Sequence, residues 1–143
     1  MLFGFLVGLF AIGILHPSNQ ILFIFLVVLG ALLPDIDHPE SKVGSKVKIV
    51  GKMFEHRGFF HSLFAVVLFV VPFWYFTSRI YAYAILIGVV SHLAADVISH
   101  MGIMPFAPLS KLKLRGFIKT NSVGENIILV VVFCLSVWKL INL

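Results

Sequence analysis

The chain has 143 residues, of which 60% are hydrophobic and 12% charged, and its mean hydropathy is +1.08. A single domain of this size has too little interior to hide so much apolar surface from water, which excludes an ordinary soluble globule and points to an integral membrane protein. The net charge is +5 and the isoelectric point about 9.6, but the Lys and Arg residues sit beside apolar runs, so membrane topology accounts for them and no direct nucleic-acid binding is expected.

The first apolar run, residues 1–15, has the greasiness of a signal-peptide core. It lacks a basic leader and a small-x-small cleavage site, and a second run follows at once, so it reads as mature structure. Gly4 and Gly8 within it form G-x-x-x-G, read as close helix packing. The break "HPSNQ" places Pro17, Ser18 and Asn19 where one helix stops and the next is capped. A second run at 21–33 follows. Against the roughly 20 residues a span needs at 1.5 Å each, these two are short and predict a short hairpin or a locally thinned bilayer. Runs at 59–77 and 80–98 are predicted to be full-length helices, and a fifth at 127–138 extends past Lys139. Cys134, the lone cysteine, lies in that last run, which excludes an internal disulfide and reads as ordinary packing. The predicted fold is all-α: a single membrane-embedded domain over residues 1–143, an integral membrane bundle of five helices.

Parity then assigns sides. The segment from Pro34 to Gly58 joins the second helix to the third, so Asp35 and His61 share a face. The fourth helix starts on the opposite face after "TSR" and returns, bringing His92, Asp96 and His100 back, and Glu125 opens the fifth helix there. All six acidic residues and five of the six histidines collect on this face, with nine of the eleven Lys and Arg; Arg79 and Lys139 lie opposite. By the positive-inside bias the polar face is expected to be cytoplasmic, in the inner cell membrane of a multi-pass protein. His16, on the other side, reads as interfacial.

His92 and Asp96 are four apart on a helix and project from one face, with His100 continuing the stripe. A charge near mid-membrane costs roughly 2.5–3.5 kcal/mol on insertion scales, so something must offset Asp96. The plain offset is a His92–Asp96 hydrogen bond or a salt bridge to Arg57. Other clusters argue for more. "EHRGFFHS" sets His56, Arg57 and His61 at the opening turn of the third helix, where free N–H groups favour an anion. Neutral imidazole plus hard carboxylate suits zinc, manganese or iron better than calcium, and a cluster of this size can hold one or two ions. A bound metal polarises an ester or phosphoryl oxygen and permits hydrolysis at neutral pH, with Arg57 clamping an anionic substrate.

Asp35, Asp37 and His38 end the second helix beside that site, where carboxylates can ligate metal, orient a histidine or act as general base. The alternative for Asp35 is a solvated Asx-type turn after Pro34, and for Glu40 that reading is preferred. Glu125 in "TNSVGENII" can complement a helix N-terminus or serve as ligand or base. Ser62 reads as a local cap. Lys42, Lys46, Lys48 and Lys52 read as contacts to anionic lipid headgroups.

Taken together, "GALLPDIDHPESKVG", "EHRGFFHSL", "GVVSHLAADV", "GIMPFAP" and "KTNSVGE" resemble the YdjM family, described as LexA-binding, inner-membrane-associated metal-dependent hydrolases. The resemblance runs from about Gly30 to Glu125 and rests on the order and spacing of the motifs. It implies a multi-helix membrane protein whose matched polar positions are Asp35, His56, Arg57, His61, Ser62, His92, Asp96 and Glu125. The chain departs from the family at its start: members carry a Thr-His pair after the initiating Met, whereas residues 2–15 here contain no ligand. His100 stands where the family has no expected histidine. The LexA connection does not follow from these residues. A more distant similarity, His92-x-x-x-Asp96, is to zinc-dependent phospholipase C and related nucleases, and it inclines the substrate toward phosphoesters.

Rival chemistries fit less well. Lipid-phosphate phosphatases carry Ser-Arg-x5-His-x3-Asp, but the gap between Arg79 and His92 is twelve residues and parity puts Arg79 on the opposite face. His-Glu-x-x-His is absent, against a typical zinc protease. A transporter needs mid-membrane polar groups on several helices, and the third and fifth have none. A non-catalytic membrane anchor or metal-binding protein that recruits a cytosolic partner through basic loops is the remaining alternative. The expected activity is hydrolysis of an ester or phosphoester, possessed by a lipid or another phosphorylated substrate. Asp35, His56, His61, His92 and Asp96 would bind a divalent transition metal, zinc foremost, Asp37 or Glu125 would serve as base or extra ligand, and Arg57 would hold the anion.

Overall fold

In a computed structural model of the chain, the described residues are 1–37, 59–110, 112–119 and 122–142. They form five α-helices and no strand: α1 (Leu2–Leu15), α2 (Gln20–Leu32), α3 (Leu63–Phe76), α4 (Arg79–Ile98) and α5 (Val123–Ile141). Two 3-10 turns, Leu33–Asp37 and Phe59–His61, extend α2 and precede α3. The all-helical fold read from the sequence is therefore the one adopted.

The "HPSNQ" break works as its chemistry dictates. His16 takes the left-handed conformation (φ 44°) and donates its N–H to the Ile12 carbonyl, ending α1. Asn19 then caps α2, its Oδ1 accepting the Leu22 N–H at 2.9 Å. The two helices turn back on each other as a short hairpin of 14 and 13 residues.

α2 and α4 form the centre of the bundle, with α1 lying against both, α3 on α4, and α5 on α1. Phe23 and Val27 of α2 and Ile85 and Val89 of α4 are fully buried between them. Their backbones approach closely because glycine stands on each side: a Cβ on Gly30 would lie 2.6 Å from the Ile85 carbonyl oxygen, and one on Gly88 would collide with that of Val27. Small residues at the crossing are how apolar helices gain contact when lipid offers no hydrophobic drive for association. Gly4 and Gly8 serve α1 in the same way, Gly4 facing Ala31 and Ser91, and Gly8 facing Ile24 and Val27.

α4 and α5, with 20 and 19 residues, are long and apolar enough to cross a membrane, and the other three helices are shorter. The third apolar run is thus not one full-length helix. Ser62 is the reason: its N–H and Oγ both bond the Phe59 carbonyl, at 3.1 and 2.6 Å, closing a 3-10 turn, and its own backbone is extended, so the α-helix begins only at Leu63. The fifth helix begins four residues earlier than its apolar run, at Val123, where Ser122 Oγ accepts the Glu125 N–H at 3.3 Å. Large apolar side chains stand exposed along α3 and α5, among them Val67, Leu68, Val130 and Phe133. Such faces suit lipid as solvent.

Between α4 and α5 the chain folds back on itself. Ile103 and Leu114 exchange backbone hydrogen bonds at 2.8 and 2.9 Å, and His100 N–H reaches the Ile118 carbonyl at 2.7 Å. Gly102 permits the reversal with φ +65°. Pro105 then offers its carbonyl to the Leu63 N–H at 2.9 Å, fastening this loop to the start of α3.

Candidate metal centre

The end of α2, the start of α3 and the end of α4 meet at one end of the bundle, and each delivers polar side chains. Asp35 comes from the 3-10 turn after α2, His61 from the turn before α3, and His92 and Asp96 from successive turns of α4. His61 Nε2 lies 3.3 Å from Asp96 Oδ2 and 3.9 Å from Asp35 Oδ1. His92 Nε2 lies 3.5 Å from each of the same two oxygens. The two imidazole rings are 5.5 Å apart between centroids, tilted by 59°.

These separations are informative. An N–H···O hydrogen bond has its heavy atoms about 2.7–3.2 Å apart, so a His92–Asp96 hydrogen bond does not account for the pair. Ligands about 2.0–2.1 Å from a tetrahedral metal stand about 3.3 Å from one another, close to three of the four distances. Among the described residues, Asp35, His61 and His92 bring one ligand atom each within 4.8 Å of one another, as a metal site requires. His92 Nε2 is shut off from solvent and has no hydrogen-bond partner among the described residues. A buried imidazole nitrogen left so is costly, and a cation between the carboxylates would remove the cost. The donor set of two nitrogens and carboxylate oxygen fits a divalent transition metal.

Burial is graded across the cluster. His61 is 1% exposed, His92 11%, Asp96 18% and Asp35 35%. Among the described residues the histidines form the floor of the cluster and Asp35 its open edge.

Of the other sequence candidates, some are described away from this cluster and the rest lie outside the described residues. Glu125 sits in the first turn of α5, its N–H capped by Ser122, and lines a separate apolar cavity with Ala95, Ser99 and Ile128. His100 does not continue the His92–Asp96 stripe, because α4 stops at Ile98 and His100 is exposed in the following loop. Nor are all the N–H groups at the start of α3 free for an anion, since Leu63 N–H is taken by Pro105. Asp37 closes the same 3-10 turn as Asp35, with its side chain outside the described residues, as are His38, Glu40, Lys42, Lys46, Lys48, Lys52, His56 and Arg57. The cavity beside Glu125 was not read from the sequence; its walls come from three helices and the loop after α4, and no local pattern signals them.

Comparison with known proteins agrees with the motifs. No solved structure matches the chain. A protein of Bacillus subtilis (strain 168) named YvsG is 36% identical over 106 residues, covering 70% of this chain and 66% of that protein. Inner membrane protein YdjM of Escherichia coli (strain K12) is 33% identical over 124 residues, 78% of this chain and 63% of that protein, and the Shigella flexneri protein of the same name matches equally. The chain thus spans a little under two-thirds of the length of these relatives. The family model described as YdjM inner membrane protein matches residues 1–142, and with the ordered motifs around Asp35, His61, His92 and Asp96 it follows that this chain belongs to the YdjM inner membrane protein family.

Proposed function

We propose that this chain is a membrane-bound, metal-dependent hydrolase of an ester or phosphoester, with its His/Asp centre facing the cytoplasm from a multi-pass helical bundle in the inner membrane. The observation that carries the proposal is the convergence of Asp35, His61 and His92 from three separate segments onto one partly buried point, with Asp96 Oδ2 beside both histidines. A structural pair would need only one carboxylate and one histidine.

Asp35, His61, His92 and Asp96 would hold the metal, with His56 as a further ligand and zinc as the preferred of one or two ions. When bound, the metal supplies Lewis acidity that polarises the substrate oxygen and acidifies water. The chain's own groups do the rest. His61 and its buried surroundings exclude bulk water from the floor of the site. Asp35, on the open edge, faces the arriving substrate, and Asp37, two residues on, is assigned the role of general base, with Glu125 the alternative. Arg57 is assigned to the anionic group of the substrate. Support for the orientation comes from charge: Lys113, Arg115 and Lys119 lie in the loop after α4, at the metal-ligand end, while Arg79 stacks over Trp74 and Lys139 over Phe10 at the other.

The test is elemental analysis of untagged, detergent-purified protein beside His92→Ala and Asp96→Ala, followed by turnover of chromogenic phosphoesters and esters. One or two transition-metal ions per chain, lost in both variants together with hydrolysis, are expected. Wild-type protein that takes up no metal after reconstitution with zinc or manganese would overturn the proposal and leave a membrane anchor. Metal without turnover of any ester would leave a metal-binding protein.

A further inference from the structure

α4 presents its ligands on one face and a cavity on the next. His92 and Asp96 point to the metal cluster, while Ala95 and Ser99 help to enclose a space of about 330 Å³ between the start of α1, the end of α4 and the first turns of α5. Along α5 the wall is Glu125, Ile128, Leu129 and Val132. That is an i, i+3, i+4, i+7 stripe, one face of a helix followed for about 10 Å. Phe3 lies across from it on α1. Among the described lining residues, polar side chains occur only at one end of this wall, Glu125 on the first turn of α5 and Ser99 just past the last turn of α4; the far end at Val132 is apolar.

From this we infer that the cavity takes a single hydrocarbon chain of a membrane lipid, and that the lipid's ester or phosphoester headgroup turns around the end of α4 toward Asp96 and the histidine cluster. Three observations support it. First, the lining has the polarity gradient of an amphiphile, apolar in depth and polar at the mouth. Second, the walls come from the ends of α4 and α5, the two helices long enough to cross a membrane, so the space opens where lipid is the surrounding solvent. Third, Ala95 and Asp96 are consecutive on α4, so a chain lodged against Ala95 ends within one helical turn of a cluster carboxylate. The volume lies at the lower end of the roughly 300–1,000 Å³ of ligand pockets, room for one chain and not for a whole lipid. The headgroup half of the inference rests on the metallohydrolase proposal; the chain-binding half does not.

Photolabelling separates the two. Wild-type protein and His92→Ala are placed in vesicles of phosphatidylcholine and phosphatidylglycerol with a trace of phosphatidylcholine bearing a diazirine midway along one acyl chain, and labelled positions are mapped by peptide mass spectrometry. Val67 and Leu68 on the outer face of α3 are at least as exposed as Ile128 and Leu129 and stand about as far from the start of their helix, and they report ordinary surrounding lipid. At least fivefold higher labelling of Phe3, Ile128 and Leu129 than of that outer face, in both proteins, is expected. Filling the space with Ala95→Leu or Ile128→Trp, both at exposed positions, should abolish the excess while metal content stays at the wild-type level. Equal labelling of the two faces overturns the inference. Cavity labelling in a wild-type protein that binds no metal keeps the lipid site and removes the hydrolase.

Discussion

Asp35 Oδ1 and His92 Nε2 lie 3.5 Å apart, so the turn that ends α2 touches the penultimate turn of α4 through a carboxylate and an imidazole. What brings them together is not their mutual attraction. Gly30 and Gly88, about one helical turn before each residue, let the two backbones cross in direct contact, and the site is the continuation of that crossing.

Gly88→Ala is the test of that dependence. Its Cβ would collide with the Val27 carbonyl oxygen and lie 2.8 Å from the Ala31 nitrogen, backbone atoms that no rotamer change can move. The helices must part, at a cost at the upper end of the roughly 1–3 kcal/mol of overpacked cores. Detergent melts should show the destabilisation, and elemental analysis should show metal lost as Asp35 leaves His92. Gly13→Ala is the control: among the described residues its Cβ meets only Lys139 Nζ, at 3.7 Å, and better helix propensity makes it neutral or slightly stabilising.

Removing a ligand should matter more than removing its support. Partners outside the coordination sphere typically contribute 10–100-fold to metal affinity, so His61→Ala, His92→Ala and Asp35→Ala are each expected to lower zinc affinity by more than about 100-fold, measured by competition with a chromogenic chelator. His100→Ala, exposed in the loop after α4, should leave affinity unchanged. A loss at His100 equal to that at His92 would contradict the geometry.

Much of this was legible in the sequence because it follows from polarity and chain direction alone. Five charge-poor runs gave the helices, and counting reversals gathered Asp35, His61, His92 and Asp96 at one end. The "HPSNQ" hairpin rested on residue types that stop and cap helices wherever they occur. Tertiary features were not legible. Gly30 and Gly88 look like any glycines in apolar helices until the crossing is known. Ser62 has the residue type of a cap, but nothing local says that its hydroxyl would turn back to Phe59 and shorten α3. The hydrogen-bonded loop that ties Pro105 to Leu63 depends on pairing between residues far apart in the chain, which periodicity cannot report.

Metal should also stabilise the fold, since the site joins three segments that separate on unfolding. A ligand bound only by the native state contributes about 2.7 kcal/mol at one hundred times its Kd, which for a chain of this length is a rise of roughly 5–10 °C in Tm. Chelation should lower the melting temperature of wild-type protein by that amount, with recovery on adding zinc. His92→Ala should melt at one temperature under both conditions. An equal response in the variant would mean that the metal acts elsewhere on the protein.

Ser62 offers the finest discrimination between holding the metal and holding a ligand. It is fully buried, and its Oγ donates to the Phe59 carbonyl at 2.6 Å within the turn that carries His61. Ser62→Ala removes that bond but leaves the Ser62 backbone N–H on the same carbonyl at 3.1 Å, so the turn survives with one restraint fewer. The stability loss is expected to be about 0.5–1.5 kcal/mol, the net worth of one hydrogen bond whose acceptor keeps another donor. Zinc affinity should fall by about tenfold, as for an outer partner, and not by the larger factor of His61→Ala. Should Ser62→Ala cost as much affinity as His61→Ala, the hydroxyl would have to be a ligand itself, and the turn would rearrange to present it.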